Sequence, residues 1–527
     1  MTSPIPLPAT PKATRWLHVL LCVPLWTIIA VLVISSLLNS VAYVRSYVDD
    51  TAYHIPMAVE IARHRNPYYV DTGSTFTSFW FPAGAETIAA AIISVIPSIN
   101  STNLSGTVFF ALFLLVSYKF AGIWTNKSIC RLLCVILVGI IPVLLAQTRA
   151  FYIDIHVGFL VYLSLYLYAL SIATEGANYG WLGMGAALLT SSMKYHGLLF
   201  CAILFPVGVY CVLRSKNRRP ARRVFVVMCL CMVFASGWYI RNLLLKGNPI
   251  YPLPLPQLLQ TLSTTVGLPY QGMPNYPNLS PKTHLPYPLI PKTLTHYHFR
   301  PDITEDAFGL GFPIAMVMYV VAALRVNRMT IPRQRAFWLS LVASIAIVVV
   351  LPFRLSVPRY ILFLPAVAAL WPSMIAAGTG ERKTVSALMY VGVLLLSSFY
   401  IGGNLIGDRS TKTSVANALS SIIEGRDSDI IHLDFVEQGN LRIGYLGGRY
   451  AFIASLYDRN LTNQLVQLHY QDYLLDDGVG FANPDEFVKH VQSLDLDYIV
   501  VFDTKAPGAQ IIASHFPERT FVEDIYQ

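Results

Sequence analysis

Eleven apolar stretches recur along this chain, at about residues 16–42, 106–124, 128–147, 155–174, 178–193, 197–213, 224–243, 307–324, 336–353, 357–376 and 384–404. Most approach the roughly 20 residues that carry a helix across a bilayer's hydrocarbon. A chain burdened with so many such runs cannot bury them all in one soluble core. Its composition agrees: of 527 residues, 54% are hydrophobic and only 13% charged, which is too apolar for a soluble protein of this length. The expected architecture is an all-α polytopic membrane domain of about eleven transmembrane helices.

The formal net charge of +9 sits largely in short basic clusters between the apolar runs. It therefore reports orientation by the positive-inside rule and not nucleic-acid binding. Lys12 and Arg15 precede the first run and put the N-terminus in the cytoplasm. That run lacks a small-residue cleavage site and reads as a retained span. The loop from Arg214 to Arg223 is the strongest inside marker, joined by Arg325 to Arg335 and by Glu381-Arg382-Lys383. The run Ala83 to Ile99 is apolar for too short a distance to span and carries Glu86 near its start. Reading it as interfacial keeps Lys119, Lys127 and Arg131 inside with the other basic loops, and leaves the C-terminus outside.

On this map residues 1–404 form the membrane domain and 405–527 a small α/β extracytoplasmic domain. Pro484 to Leu494 has an amphipathic helical pattern, and Asp497 to Phe502 reads as a buried strand. The long outer segment 244–306, rich in Pro, Tyr and His, suits a lid or binding surface. All seven cysteines lie in or beside apolar runs, so neither a disulfide framework nor a Cys-based zinc site is indicated.

Polar residues collect at the outer ends of the spans: Asp49, Asp50, His54, Glu60, Asp154, His156, Lys194, His196, Arg241, Arg354 and Arg359. One such residue commonly snorkels or caps a helix; the group is harder to dismiss. Adjacent carboxylates where a hydrophobic helix leaves the bilayer suit a site at the membrane surface. A partly desolvated carboxylate can act as general base; Asp49 and Asp50 are one such pair of carboxylates, and Asp154 is the second anchor. A second carboxylate can position an acceptor or a divalent metal, and Asp154 with His156 would hold one. Tyr53, His54 and His196 complete the candidates. Lys194, Arg241 and Arg359 could bind a lipid-linked phosphate and stabilise it as it departs. Arg359, in Val357-Pro358-Arg359-Tyr360, opens a span and has no carboxylate near it in sequence. Arg241 precedes a Gly-Asn-Pro turn that it could equally serve to fix.

Taken in order, several short motifs resemble the membrane glycosyltransferases of the GT-C class, which include protein O-mannosyltransferases and the aminoarabinose and lipopolysaccharide-core sugar transferases. They are Asp49-Asp50 followed by Tyr53-His54-Ile55-Pro56, Phe81-Pro82 with Glu86, Asp154, the lysine of Thr190-Ser191-Ser192-Met193-Lys194, Trp238-Tyr239-Ile240-Arg241-Asn242 with Lys246-Gly247-Asn248-Pro249, and Pro358-Arg359-Tyr360. The resemblance spans roughly residues 16–376. It implies a polyprenyl-phosphate sugar donor, an inverting transfer at the outer face, Asp49 as base, and Asp154 assisting acceptor placement or metal binding.

The expected function is thus transfer of a monosaccharide from a polyprenyl-phosphate donor to a lipid, glycan or protein acceptor, with a bacterial inner membrane as the expected location. The alternative is a transporter or flippase for a lipid-linked or anionic substrate. Against it, the charged residues gather at one face instead of the bilayer midplane, and no repeat between halves is visible.

Overall fold

The first apolar run forms one helix, α1 (Lys12–Ala42). Its buried side chains Leu25, Ile29 and Leu32 follow the spacing that makes a single stripe on a helix. Leu20, Val23, Trp26, Ile34, Leu37 and Val41 are exposed. A stripe facing protein and an apolar remainder facing outward is the pattern a lipid-facing helix needs. The computed structural model describes residues 12–42, 53–70, 80–148, 150–216, 218–254, 260, 311–350, 358–379, 388–398, 434–446, 456–458, 461–468, 483–502, 508–518 and 520–522.

After α1 come two short helices, α2 (Ile55–His64) and α3 (Gly84–Val95), packed on each other. At 12 residues α3 extends only about 18 Å, too short to cross a bilayer. The bundle continues through α4 (Leu104–Ala121), α5 (Ser128–Gly139), α6 (Pro142–Ala146), α7 (Asp154–Thr174), α8 (Ala177–Met193), α9 (Tyr195–Arg214) and α10 (Arg222–Lys246). Helix α7 is the buried axis, in contact with α4, α8, α9 and the helix Ile331–Val350. Its residues Ile155, Val157, Val161, Tyr162, Leu165, Tyr168 and Ala169 have no exposed surface.

Among the described residues six helices are long and apolar enough to cross a membrane: Leu20–Leu38 within α1, Ile99–Ala121, Asp154–Thr174, Tyr195–Arg214, Arg222–Lys246 and Ile331–Val350. The other expected spans contain shorter helices. Pro142 interrupts the stretch 128–147, because it lacks the N–H that would continue the α5 ladder, and α6 begins at it. The stretch 357–376 is likewise divided into a 3-10 turn Pro358–Ile361 and helices Phe363–Ala368 and Trp371–Thr379.

Near the C-terminus lies a four-stranded, wholly parallel sheet, β1 (Arg442–Leu446), β2 (Gln464–Gln467), β3 (Tyr498–Val501) and β4 (Thr520–Val522), in the spatial order β2-β1-β3-β4. Ile443, Tyr445 and Val500 face one apolar cluster, with Phe435 and Leu456. Leu446, Ile499 and Val501 face the other, with Phe487, Val491 and Ile512 from the covering helices. Burial on both faces explains why β3 reads as an unbroken apolar run. The helix Pro484–Ser493 starts where Asn483 accepts a hydrogen bond from the Asp485 N–H at 2.9 Å.

Candidate active site

Asp154 is the first residue of α7, where the helix's unpaired N–H groups favour a negative charge. Its carboxylate is fully buried, and the cations around it are not. Lys194 Nζ donates to Asp154 Oδ1 at 2.9 Å with its side chain 20% exposed, and Arg359 Nε lies 3.6 Å from Oδ2 with its side chain 15% exposed. The carboxylate thus forms the floor, and the accessible side of the cluster is cationic.

Local structure delivers both cations. Lys194 has extended backbone between α8 and α9. The turn is tight because Gly197 packs directly on the Thr190 carbonyl, where any Cβ would collide. Thr190 Oγ1 donates to the Gly197 carbonyl at 2.8 Å and closes the turn. Arg359 belongs to the 3-10 turn Pro358–Ile361, which packs on α7. Gly158 allows that approach, since a Cβ there would lie 2.9 Å from Leu362 Cβ. Gly158 is one helical turn beyond Asp154, on the same face, so this contact sets the height of Arg359 over the carboxylate. The Tyr360 ring lies under both cations, 4.8 Å from Lys194 Nζ and 5.2 Å from the Arg359 guanidinium carbon, and Tyr152 flanks Arg359 at 5.2 Å. His196 packs on the same Tyr360 ring at 4.8 Å.

The remaining candidates stand elsewhere. Asp49, Asp50 and Arg354 lie outside the described residues. His54 is buried at the start of α2, with Nδ1 2.6 Å from Glu86 Oε1 of α3, and Tyr53 packs beside it at 4.0 Å between centroids. His156 is fully buried among aromatic rings, 4.2 Å from Phe109. Glu60 pairs with Arg63 at 2.8 Å. Arg241 makes no ion pair among the described residues. It donates to the carbonyls of Trp80 at 2.9 Å and of Tyr68 and Tyr69 at 3.4 Å, and to Asn242 Oδ1. Asn242 and Tyr195 donate to the same Trp80 carbonyl, so Arg241 fastens the segment before α3. As for a divalent metal at Asp154 and His156, the described residues do not fit one: they contain no cluster of three His, Cys, Asp or Glu, and both Asp154 oxygens face cations.

Tyr360 and Tyr152 escaped the sequence reading. Tyr360 stands next to Arg359 in Val357-Pro358-Arg359-Tyr360, and an aromatic beside a cation was the available signal. Nothing in sequence marks Tyr152 as Arg359's neighbour.

A helical bundle with repeated bilayer-length helices, a charged cluster at helix ends and a small parallel sheet defines a multi-pass integral membrane protein. Solved structures of ArnT are among those similar to the chain. ArnT from Cupriavidus metallidurans bound to undecaprenyl phosphate is 11% identical, with a TM-score of 0.46 over 78% of this chain and 71% of that one. ArnT from Cupriavidus metallidurans in the apo state is 11% identical, with a TM-score of 0.47 over 91% of each chain. This is a likeness of overall arrangement and assigns no residue a role. No protein-family model and no curated protein matches the chain.

Proposed function

We propose that the chain is a membrane glycosyltransferase that moves a monosaccharide from a polyprenyl-phosphate donor to a lipid, glycan or protein acceptor at the outer face of a bacterial inner membrane. The observation that carries this reading is the convergence of Lys194 and Arg359, from separate parts of the chain, on the buried Asp154 carboxylate. Such an arrangement suits an anion arriving from the exposed side. The carboxylate holds two mutually repelling cations at a fixed spacing, while Arg359's planar fork and Lys194's ammonium can meet phosphate oxygens.

In this mechanism Asp49, with Asp50 beside it, accepts the proton of the acceptor's nucleophilic group. The acceptor's freed electron pair forms the new bond to the anomeric carbon. The bond from that carbon to the phosphate oxygen breaks on the opposite face, so configuration inverts. Its electron pair leaves with the polyprenyl phosphate, and Lys194 and Arg359 stabilise the charge that develops there. Asp154 keeps both cations aligned for that step.

The test is a mass-spectrometric profile of polyprenyl-phosphate sugars in membranes carrying the native protein, Asp49→Asn or Lys194→Ala. Accumulation of one species in both variants is expected, and its mass names the sugar class. An unchanged profile from folded variants that have lost their cellular phenotype rejects donor use and favours transport of an anionic substrate.

A further inference from the structure

Helix α2 is pinned at both ends, and the C-terminal domain supplies the second pin. At the start of α2, the buried His54–Glu86 contact at 2.6 Å ties it to α3. Near its end, Arg63 is the joint. Its Nη1 donates to Glu60 Oε1 at 2.8 Å, while Nη2 donates to the backbone carbonyls of Leu461 (2.6 Å) and Asn463, some 400 residues along the chain. The guanidinium also lies 5.2 Å from the centroid of the Tyr457 ring, and the Tyr457 hydroxyl reaches Glu60 Oε1 at 3.4 Å.

The receiving segment is held by hydrogen bonds that do not involve Arg63. Asp458 accepts from the Thr462 N–H at 2.5 Å, the Thr462 hydroxyl at 3.0 Å and the Asn463 N–H at 2.8 Å. Asn463, fully buried, donates to the carbonyls of Val436 and Leu456 and accepts from the Leu441 N–H. These bonds tie the loop to the starts of β1 and β2, while its Tyr457 and Leu461 pack into the main apolar cluster of the helical bundle. Two fixed carbonyl dipoles, a carboxylate and an aromatic face around one guanidinium make a socket that only a planar, fork-shaped cation fills. Burial pushes the Tyr457 phenol well above its ordinary range, so its hydroxyl stays a donor.

We propose that Arg63 is a positioning residue through which the C-terminal domain sets the placement of α2, and with it Tyr53, His54 and the chain that enters α2 from Asp49-Asp50. This rests on the transferase reading, since what α2 positions is the segment assigned the base. The domain then braces the helix at the end away from the His54–Glu86 pin. Because Arg63 contacts Glu60, Leu461, Asn463 and Tyr457 and not Asp154, Lys194 or Arg359, donor phosphate binding should not depend on it.

The experiment compares full-length wild type, Arg63→Ala and Arg63→Lys by three readouts. Hydrogen exchange over residues 55–64 should speed up about tenfold in Arg63→Ala. Polyprenyl-phosphate sugar in membranes should accumulate about fivefold over wild type, approaching the Asp49→Asn profile. The Kd for undecaprenyl phosphate should stay within about twofold. Arg63→Lys keeps the Glu60 pair but not the fork, should fall between, and carries the test if the alanine variant does not fold. Unchanged exchange, or faster exchange without accumulation, overturns the proposal. Loss of undecaprenyl phosphate binding in both variants overturns it too, because the effect would then be general. If wild type consumes no polyprenyl-phosphate sugar, the transferase reading fails, and exchange over 55–64 still decides whether the domain holds α2.

Discussion

Lys194 and Asp154, forty residues apart in sequence, meet at 2.9 Å where α7 begins and where α8 gives way to α9. The carboxylate has no exposed surface and the ammonium does, so the pair is a buried anion lidded by a cation. That asymmetry fixes how substitutions should behave.

Lys194→Met removes the closest cation from a buried carboxylate and should cost about 3 kcal/mol of stability. Adding Asp154→Asn removes the stranded charge, and the double variant should recover more than half of that loss in a thermal melt in detergent. Simple addition of the two single costs would show that the pair does not interact.

Arg359→Lys keeps the charge and loses the fork. Affinity for undecaprenyl phosphate should fall about tenfold, roughly one charge-assisted hydrogen bond. Equal affinity in a titration of the purified variant would remove Arg359 from the phosphate site.

Gly158→Ala should act on Arg359 without touching it. The new Cβ must push Leu362 from α7, lifting the Pro358–Ile361 turn off Asp154. The expected cost is about 1–3 kcal/mol, with undecaprenyl phosphate affinity falling alongside. Gly197→Ala, driven against the Thr190 carbonyl, should do the same to Lys194.

The His54–Glu86 contact predicts a difference between two substitutions of one residue. Glu86→Leu strands a buried imidazole and should cost about 2 kcal/mol. Glu86→Gln retains an acceptor for the ring and should cost less than half as much. Equal melting temperatures would show that the pair adds nothing to the α2–α3 packing.

Much of the helical layout was legible in sequence because bilayer-length apolar runs have few other fates. The short length of α3, the strand within Asp497–Phe502 and the helix starting at Pro484 could be read from the same local patterns. Run length alone missed the breaks: in 128–147 Pro142, which lacks the N–H a continuous helix requires, opens α6, and in 357–376 Pro372 is the second residue of the helix Trp371–Thr379.

Sequence by itself determined that this chain builds helices for a membrane and carries carboxylates and cations at their ends, since hydropathy and charge are properties of single residues and short windows. Only the tertiary structure decided which of these charges meet. Asp154 takes Lys194 and Arg359 as partners, His54 takes Glu86, and Arg241 turns instead to the carbonyl of Trp80. Arg63 reaches a loop from the far end of the chain. A buried charge is stable only where another element brings its partner within a few ångströms, and which element does so depends on helix packing, through close approaches such as Gly158 on Leu362 and Gly197 on Thr190.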